Sequence, residues 1–265
     1  MQDSENGVTF IEVGQTPHIR RIAVIATRPG RQSDTTVVWL GGYRSDMSGT
    51  KAAALETVAH EIGVDFVRFD YSGHGQSSGH YTEGTISLWL EEALAVIRTF
   101  ATGRLILVGS SMGGWVALRA VEEFRKSGDS NRIDGLVLIA PAPDFTHVLI
   151  EPHLTKKELK SLADKGYFEE KSAYSTEPNR YTLDLIEDGR HNLVMNGLIV
   201  TGCPVHIIQG MKDPDVPYGH ALKIMEKIVG DDAILTLIRD GDHRLSRPED
   251  LERIEAAVTA MAASA

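Results

Sequence analysis

The chain has 265 residues, of which 42% are hydrophobic and 24% are charged, and its formal net charge is −10. This composition excludes wholesale disorder, and the length suits one large domain, because single hydrophobic cores stop growing at about 250–300 residues. The acidic balance argues against a nucleic-acid-binding protein and against docking on anionic membranes, since both need clustered Lys and Arg.

The same sequence favours a cytoplasmic protein. The polar and acidic start, Met1–Gly7, has no basic region followed by an apolar one, as a secretory signal requires. No run approaches the roughly 18–20 apolar residues of a membrane span. Cys203 is the single cysteine, so an intramolecular disulfide is excluded and a buried, reduced thiol is expected.

Apolar runs rich in β-branched residues alternate with longer helical patterns. Eight of these runs are predicted to be strands: Thr9–Val13, Ile22–Ala26, Thr36–Leu40, Asp65–Phe69, Leu105–Val108, Gly135–Ile139, Val205–Gln209 and Ile234–Ile238. The first three follow one another closely, as an antiparallel start would, and each later strand is followed by a helix-length segment. The pattern predicts an α/β fold, with a mostly parallel eight-stranded sheet and helices on both faces.

Two helices are predicted from their apolar stripes. In Ile86–Phe100 the apolar residues recur at helical spacing. The last helix is predicted to open at Ser246, with Glu249 completing a capping box. Its predicted buried face consists of Leu251, Ile254, Val258 and Met261.

About 60 residues separate the sixth and seventh predicted strands, against about 4–6 in an ordinary connection. This long connection contains sequence signals for helices of its own. A capping box at Thr155 and Glu158 precedes a stripe of Leu159 and Leu162, and Gly166 is a natural stop. A second helix is predicted over Leu183–Asp188, ending at Gly189. We therefore expect a core of residues 1–143 and 201–265, with residues 144–200 inserted after the sixth strand as a helical lid.

The strongest chemical signal is the Gly-x-Ser-x-Gly sequence at Gly109–Gly113. It follows an apolar strand and precedes a helical pattern, which is the context of a nucleophile elbow. The frame selects Ser111 rather than Ser110, because a nucleophile at Ser110 would place bulky Val108 and Met112 where small residues are needed.

A serine nucleophile needs a base, and the base needs an acid to orient it. The expected chain order is Ser, acid, His. His243 follows the last predicted strand, whereas His206 and His220 lie within elements and His74 precedes Ser111. The predicted acid is Asp213, just past the seventh strand.

Two other aspartates are alternatives to Asp213 as the acid that orients the histidine. Asp215 is the nearby alternative to Asp213, and Asp144, just past the sixth strand, is the distant one. An exposed loop aspartate is by default a turn-former. Asp213 is favoured over this default only by its position in the chain between Ser111 and His243.

Two backbone N–H groups are predicted to form the oxyanion hole. One belongs to Met112, the residue after the nucleophile, at the positive end of its helix. The other belongs to Tyr43, because Gly41 and Gly42 after the third strand let the chain turn inward.

A glycine-containing loop and two methionines are further candidates for a role at the site. The glycines of Asp70–Gly75 are too closely spaced for dinucleotide binding, so a rigid loop beside the site is expected and no cofactor. Met47 and Met211 are candidates for an apolar pocket, with core packing at least as good an interpretation. No metal is needed.

These motifs together resemble the α/β-hydrolase superfamily, and within it the mitochondrial palmitoyl-protein thioesterases, also described as acyl-glucuronide esterases. Segments that carry the resemblance are Gly42–Tyr43, Gly49–Ala52, Arg68–Gly73, Val108–Trp115, Cys203–Val205, Gly210–Asp213 and Asp242–Arg244. The resemblance runs from about Thr36 to the C-terminus, without a transit peptide and with a poor match in the lid. It implies Ser111 as nucleophile, Asp213 as acid and His243 as base.

We therefore expect a serine hydrolase that cleaves small-molecule or acylated esters or thioesters through an acyl-serine intermediate. A short-chain carboxylesterase, a carbon–carbon bond hydrolase and a non-catalytic ligand-binding protein on the same fold are the alternatives. The sequence leaves the oligomeric state open.

Overall fold

The computed structural model describes residues 4–5, 7–29, 33–129, 132–172, 176–230 and 232–264. Residues 1–3 and 6 of the acidic N-terminal segment, and residues 173–175 of the predicted lid, lie outside this part. The strands are β1 Ser4–Glu5, β2 Val8–Val13, β3 Arg20–Thr27, β4 Thr35–Leu40, β5 Asp65–Phe69, β6 Arg104–Ser110, β7 Ile133–Ile139, β8 Tyr167–Glu170, β9 Asn179–Thr182, β10 Ile199–Val200, β11 Val205–Gly210, β12 Ile228–Val229 and β13 Ala233–Ile238.

The α-helices are α1 Thr50–Ile62, α2 Ile86–Phe100, α3 Met112–Lys126, α4 Lys156–Lys165, α5 Leu183–His191, α6 Tyr218–Lys227 and α7 Pro248–Ser264. Short helical turns lie at Tyr81–Glu83 and Glu151–His153, and a π-helical turn lies at Thr146–Ile150.

One nine-stranded sheet has the order β1-β2-β3-β5-β4-β6-β7-β11-β13. The pairs β1/β2, β2/β3 and β3/β5 are antiparallel, and every later pair is parallel. All eight predicted strands are present, and the two-residue β1 is added at the edge. The predicted antiparallel start and parallel remainder are confirmed.

Alternation along the central strands divides the core into two layers. In β4, Val38 and Leu40 pack with the apolar faces of α2 and α3, while Val37 and Trp39 pack with α1 and α7. Successive side chains of a strand point to opposite faces, so a strand covered on both sides is apolar throughout. All six residues of β4 are buried.

Two helix ends differ from prediction. Helix α7 begins at Pro248, and Ser246 donates its hydroxyl to the Arg244 carbonyl instead of capping the helix. Helix α5 continues past Gly189, where a Cβ atom would collide with Thr146 Oγ1. Gly189 therefore serves close packing between α5 and the π-helical turn, not helix termination.

Leu251, Leu159 and Cys203 are less buried than predicted, whereas Met47 packs in the core, one of its two predicted locations. Leu251 of α7 is half-buried, and Leu159 of α4 is 51% exposed while Leu162 is buried. Met47 packs with Val8 and Ala23 in a small cluster. Cys203 is half-buried, and burial raises the pKa of its thiol to about 12.

Candidate active site

The carboxyl ends of β4, β6, β7, β11 and β13 meet at one edge of the sheet. In a parallel sheet the loops at this edge form the usual ligand-binding crevice. The predicted site residues all follow these strand ends: Tyr43 after β4, Ser111 and Met112 after β6, Asp213 after β11 and His243 after β13.

Ser111 lies on a strained turn between β6 and α3. Its φ is 54° and its ψ −118°, a conformation that is costly for a residue with a Cβ. The turn is held by hydrogen bonds: the Ser111 N–H donates to Ile139 O (2.9 Å), and its carbonyl accepts the N–H groups of Gly114 (2.9 Å) and Ala142 (3.0 Å). The backbone thus presents the hydroxyl above the sheet, as the motif predicts.

Glycines flank this turn because the backbone approaches too closely for a side chain. A Cβ at Gly109 would collide with the carbonyl of Gly113, and a Cβ at Gly113 would collide with the carbonyl of Leu40. The spacing of Gly-x-Ser-x-Gly is therefore a steric requirement of the elbow.

Ser111, His243 and Asp213 form one hydrogen-bonded chain. His243 Nε2 lies 3.0 Å from Ser111 Oγ, and His243 Nδ1 lies 2.7 Å from Asp213 Oδ2. The carboxylate accepts the Nδ1 proton, so Nε2 carries the lone pair that can accept the serine proton. The structure brings together all three residues that the sequence predicts.

The alternative acids have other contacts. Asp215 donates its N–H to Asp213 Oδ1 (2.9 Å) and lines the cavity. Asp144 is buried, with its carboxylate accepting the N–H groups of Val194 (2.9 Å) and Met195 (2.8 Å). Asp144 thus fastens the far end of the 144–200 segment to the end of β7.

The alternative histidines also have other contacts. His74 Nδ1 donates to Ser72 O (3.0 Å), and its Nε2 accepts the N–H of Arg44 (2.9 Å). His206 lies in β11 beside Thr236, and His220 in α6 donates to Pro143 O (2.9 Å). Burial lowers the pKa of His74, and that of His220 to about 4, so both rings are neutral near pH 7.

Both predicted oxyanion donors are available. Within the described residues, neither the Met112 N–H nor the Tyr43 N–H has an acceptor, as expected for Met112 in the first turn of α3. A Cβ at Gly42 would lie 3.4 Å from Ser111 Cβ, so the chain entering Tyr43 runs against the nucleophile. Two unpaired N–H groups beside Ser111 can stabilise a developing negative charge.

The loop that carries Tyr43 is tied to strand β9. The Tyr43 hydroxyl donates to Arg180 O (2.6 Å), and its ring stacks on Tyr181 at a centroid distance of 5.6 Å. Arg44 donates to Asn179 Oδ1 (2.9 Å). These contacts and the His74 bond were not predicted, because they join segments that are far apart in sequence.

A cavity of about 630 Å³ opens onto Ser111 and His243. Apolar side chains line much of it: Met112, Ala142, Phe145, Leu149, Ile150, Leu154, Phe168, Tyr181 and Val216. Polar side chains complete the lining: Arg44, His153, Glu158, Glu170, Lys171, Ser172, Asn179 and Asp215. Most of these residues belong to the 144–200 segment, while Met47 and Met211 do not line the cavity.

Two charged side chains near the site have shifted pKa values. Burial, together with the Glu158 and Asp215 carboxylates, raises the pKa of Glu170. Lys51 Nζ donates to the carbonyl of Arg244, the residue after His243, and burial lowers the pKa of Lys51 to about 8. Lys51 thereby holds the loop that carries His243.

One group of side chains in the described residues has donor atoms close enough for a metal ion. Asp213, Asp215 and His243 offer atoms within 4.8 Å of one another. Both His243 nitrogens and both Asp213 oxygens already have hydrogen-bond partners. The arrangement is therefore accounted for by the chain that ends at Ser111.

None of the helices in the described ranges combines the length and the hydropathy that crossing a bilayer would require.

Comparison with known proteins identifies the family. The alpha/beta hydrolase family model matches residues 37–254. The mitochondrial palmitoyl-protein thioesterase ABHD10 of Bos taurus is 31% identical over 94% of this chain and 78% of its own length. A solved structure of mouse alpha/beta hydrolase domain-containing protein 10 has a TM-score of 0.83 at 29% identity, covering 96% of this chain and 97% of its own.

A bacterial structure is more similar still. A protein of Agrobacterium vitis S4, assigned as a hydrolase, is 57% identical, with a TM-score of 0.93 over 96% of this chain and 98% of its own. The resemblance predicted from the sequence motifs is confirmed. The chain belongs to the α/β hydrolase family and is a hydrolase.

Proposed function

We propose that the protein is a serine hydrolase that cleaves acyl esters or thioesters through an acyl-Ser111 intermediate. The observation that carries this proposal is the continuous chain from Ser111 Oγ through His243 to Asp213, at a cavity lined by both apolar and polar side chains. A hydroxyl becomes a competent nucleophile when an oriented base can take its proton.

Each step then has a residue. His243 Nε2 removes the Ser111 proton as Oγ attacks the acyl carbon, and the Met112 and Tyr43 N–H groups stabilise the oxyanion. The imidazolium returns the proton to the departing alkoxide or thiolate. Water, deprotonated by His243, releases the acid in the second half, while Asp213 keeps the imidazole in one tautomer.

An acyl chain of substantial length is the substrate portion that the volume of the cavity and the apolar side chains in its lining can accommodate. Its volume of about 630 Å³ lies within the range of sites that enclose whole small molecules, about 300–1,000 Å³. The relatives named palmitoyl-protein thioesterase support a long-chain thioester as the first substrate to test. We further propose that the 144–200 segment acts as a lid, since it supplies much of the lining.

The test is a comparison of acyl substrates. p-Nitrophenyl esters from acetyl to palmitoyl and a palmitoyl-thioester peptide are assayed with the wild type, Ser111→Ala and the matched control Ser110→Ala. We expect turnover that rises with chain length and is lost only in Ser111→Ala. A sharp preference for acetyl or butyryl esters would replace the long-chain assignment by a short-chain carboxylesterase. The absence of Ser111-dependent turnover on every acyl substrate would overturn the proposal.

A further inference from the structure

Gln209 places a polar side chain at a position where the fold otherwise buries apolar ones. It lies next to the carboxyl end of β11, is fully buried, and follows the equally buried Ile207 and Ile208. Burying an amide without a hydrogen bond costs about 1–3 kcal/mol in proteins. A residue of this kind in a core strand therefore needs a compensating partner.

The amide nitrogen of Gln209 has three acceptors. Its Nε2 lies 3.0 Å from Asp213 Oδ2, 3.0 Å from Val216 O and 3.1 Å from Gly210 O. An amide NH₂ has two hydrogens, so one donates to the carboxylate and the two carbonyls share the other. Those carbonyls stand at the two ends of the loop that carries Asp213.

These contacts complete the hydrogen bonding of Asp213. Its Oδ1 accepts the N–H groups of Asp215 (2.9 Å) and Val216 (2.8 Å), and its Oδ2 accepts from His243 and Gln209. A carboxylate has about four lone-pair sites, and all of them are used here. Gln209 is the donor that comes from the sheet, so it fixes the carboxylate relative to the rigid part of the molecule.

We propose that Gln209 is a positioning residue for the hydrolytic reaction, which fixes the Asp213 carboxylate and through it the His243 ring. This inference rests on the proposed function. Without the Nε2 donor, the carboxylate loses its contact with the sheet and can turn about its side-chain bond. The His243 ring then loses its alignment with Ser111 Oγ, and a misplacement of about 1 Å costs up to about 100-fold in rate.

The surroundings of the amide oxygen indicate that the Gln209 side chain acts as a hydrogen-bond donor. Within the part of the chain that the structure describes, Gln209 Oε1 is buried and has no hydrogen-bond partner. The side chain is therefore held through its nitrogen alone. A variant that retains the shape but changes the donor tests the proposal directly.

Gln209→Met removes the donor at similar length. We expect kcat for a short acyl ester to fall about 10- to 100-fold, with KM changed less than about threefold, at every pH. The contact acts on the position of His243 and not on substrate binding. A loss confined to KM would contradict the proposal.

Gln209→Glu supplies a donor that depends on pH. Two carboxyl groups at hydrogen-bond distance share one proton, so the introduced carboxyl donates to Asp213 at low pH and repels it once ionised. We expect an alkaline fall in kcat that neither the wild type nor Gln209→Met shows. The titratable groups bonded to Asp213, which are Asp215 and His243, and the interacting pair Asp242 and Lys51 at the loop that carries His243 are the same in all three proteins.

Thr36→Val is the matched control, since Thr36 is fully buried and its hydroxyl donates to Thr102 O away from the site. We expect a lower melting temperature and unchanged kcat. The proposal is overturned if Gln209→Met retains kcat within twofold, or if the Gln209→Glu profile matches that of the wild type. Should Gln209→Met fail to fold, the profile of Gln209→Glu decides. Failure of the wild type to turn over any acyl ester or thioester would instead refute the proposed function.

Discussion

Ser111 shows how a reactive residue can occupy a conformation that local propensity disfavours. A positive φ at a residue with a Cβ costs about 1–3 kcal/mol. Three backbone hydrogen bonds to Ile139, Gly114 and Ala142 hold it in place. Propensity alone would not place Ser111 at this turn, but the glycines at Gly109 and Gly113 reveal the turn in the sequence.

Tyr43 is predicted to act through its main chain. Burial raises the pKa of its hydroxyl well above the ordinary value, and that hydroxyl donates to Arg180 O. In Tyr43→Phe we expect kcat within about threefold of wild type and a free energy of unfolding lowered by about 1 kcal/mol. Ester turnover and urea denaturation measure the two effects. A 100-fold loss of kcat in a stably folded variant would show that the hydroxyl takes part in the chemistry.

At the scale of elements, regular strands were predictable and the 144–200 segment only partly so. The eight core strands stand out because they are apolar, and the capping box at Thr155 is confirmed at the start of α4. The strands β8 and β9, which pair antiparallel outside the main sheet, were not predicted because they are largely charged and polar and have no apolar alternation. The predicted helix end at Gly189 is wrong, because a glycine needed for packing looks the same in sequence as one that ends a helix.

We predict that Asp144 stabilises the far end of the 144–200 segment. The Val194 and Met195 N–H groups donate to different oxygens of Asp144, and in Asp144→Asn one of those oxygens becomes an NH₂ group, which faces an N–H donor and cannot accept from it. We expect faster hydrogen exchange in peptides spanning those two residues, with β6 unchanged. Asp184→Asn, at an exposed position of α5, is the control. Equal exchange in wild type and Asp144→Asn would contradict this role.

At the scale of the molecule, the residues of the hydrogen-bonded chain were predictable because topology brings strand ends together. Order along the chain and position after a strand select Ser111, Asp213 and His243 without any distance information. Gln209 was not predictable, because a single polar residue in an apolar strand does not reveal its partner. The cavity depends on side chains from separate elements, so its volume is a property of the packed structure.

His220 is predicted to make the protein less stable in acid. Burial lowers its folded-state pKa to about 4, against about 6.5 in an unfolded chain, so the unfolded state binds more protons between these values. Its contribution is therefore complete above about pH 6.5 and is lost as the pH falls toward 4. Between pH 7 and 5 we expect His220→Gln to lose about 2 kcal/mol less unfolding free energy than wild type. Urea denaturation at both pH values measures it; equal losses would contradict the assignment.

Activity-based labelling of Ser111 tests the central claim most directly. A fluorophosphonate probe reacts with a serine hydroxyl that an adjacent base activates. We predict a single stoichiometric adduct, mapped by mass spectrometry to Ser111, in the wild type and in Ser110→Ala. Labelling should be absent in Ser111→Ala and at least about 100-fold slower in His243→Ala. An unlabelled wild type, or undiminished labelling of Ser111→Ala, would contradict the assignment of Ser111 as the nucleophile.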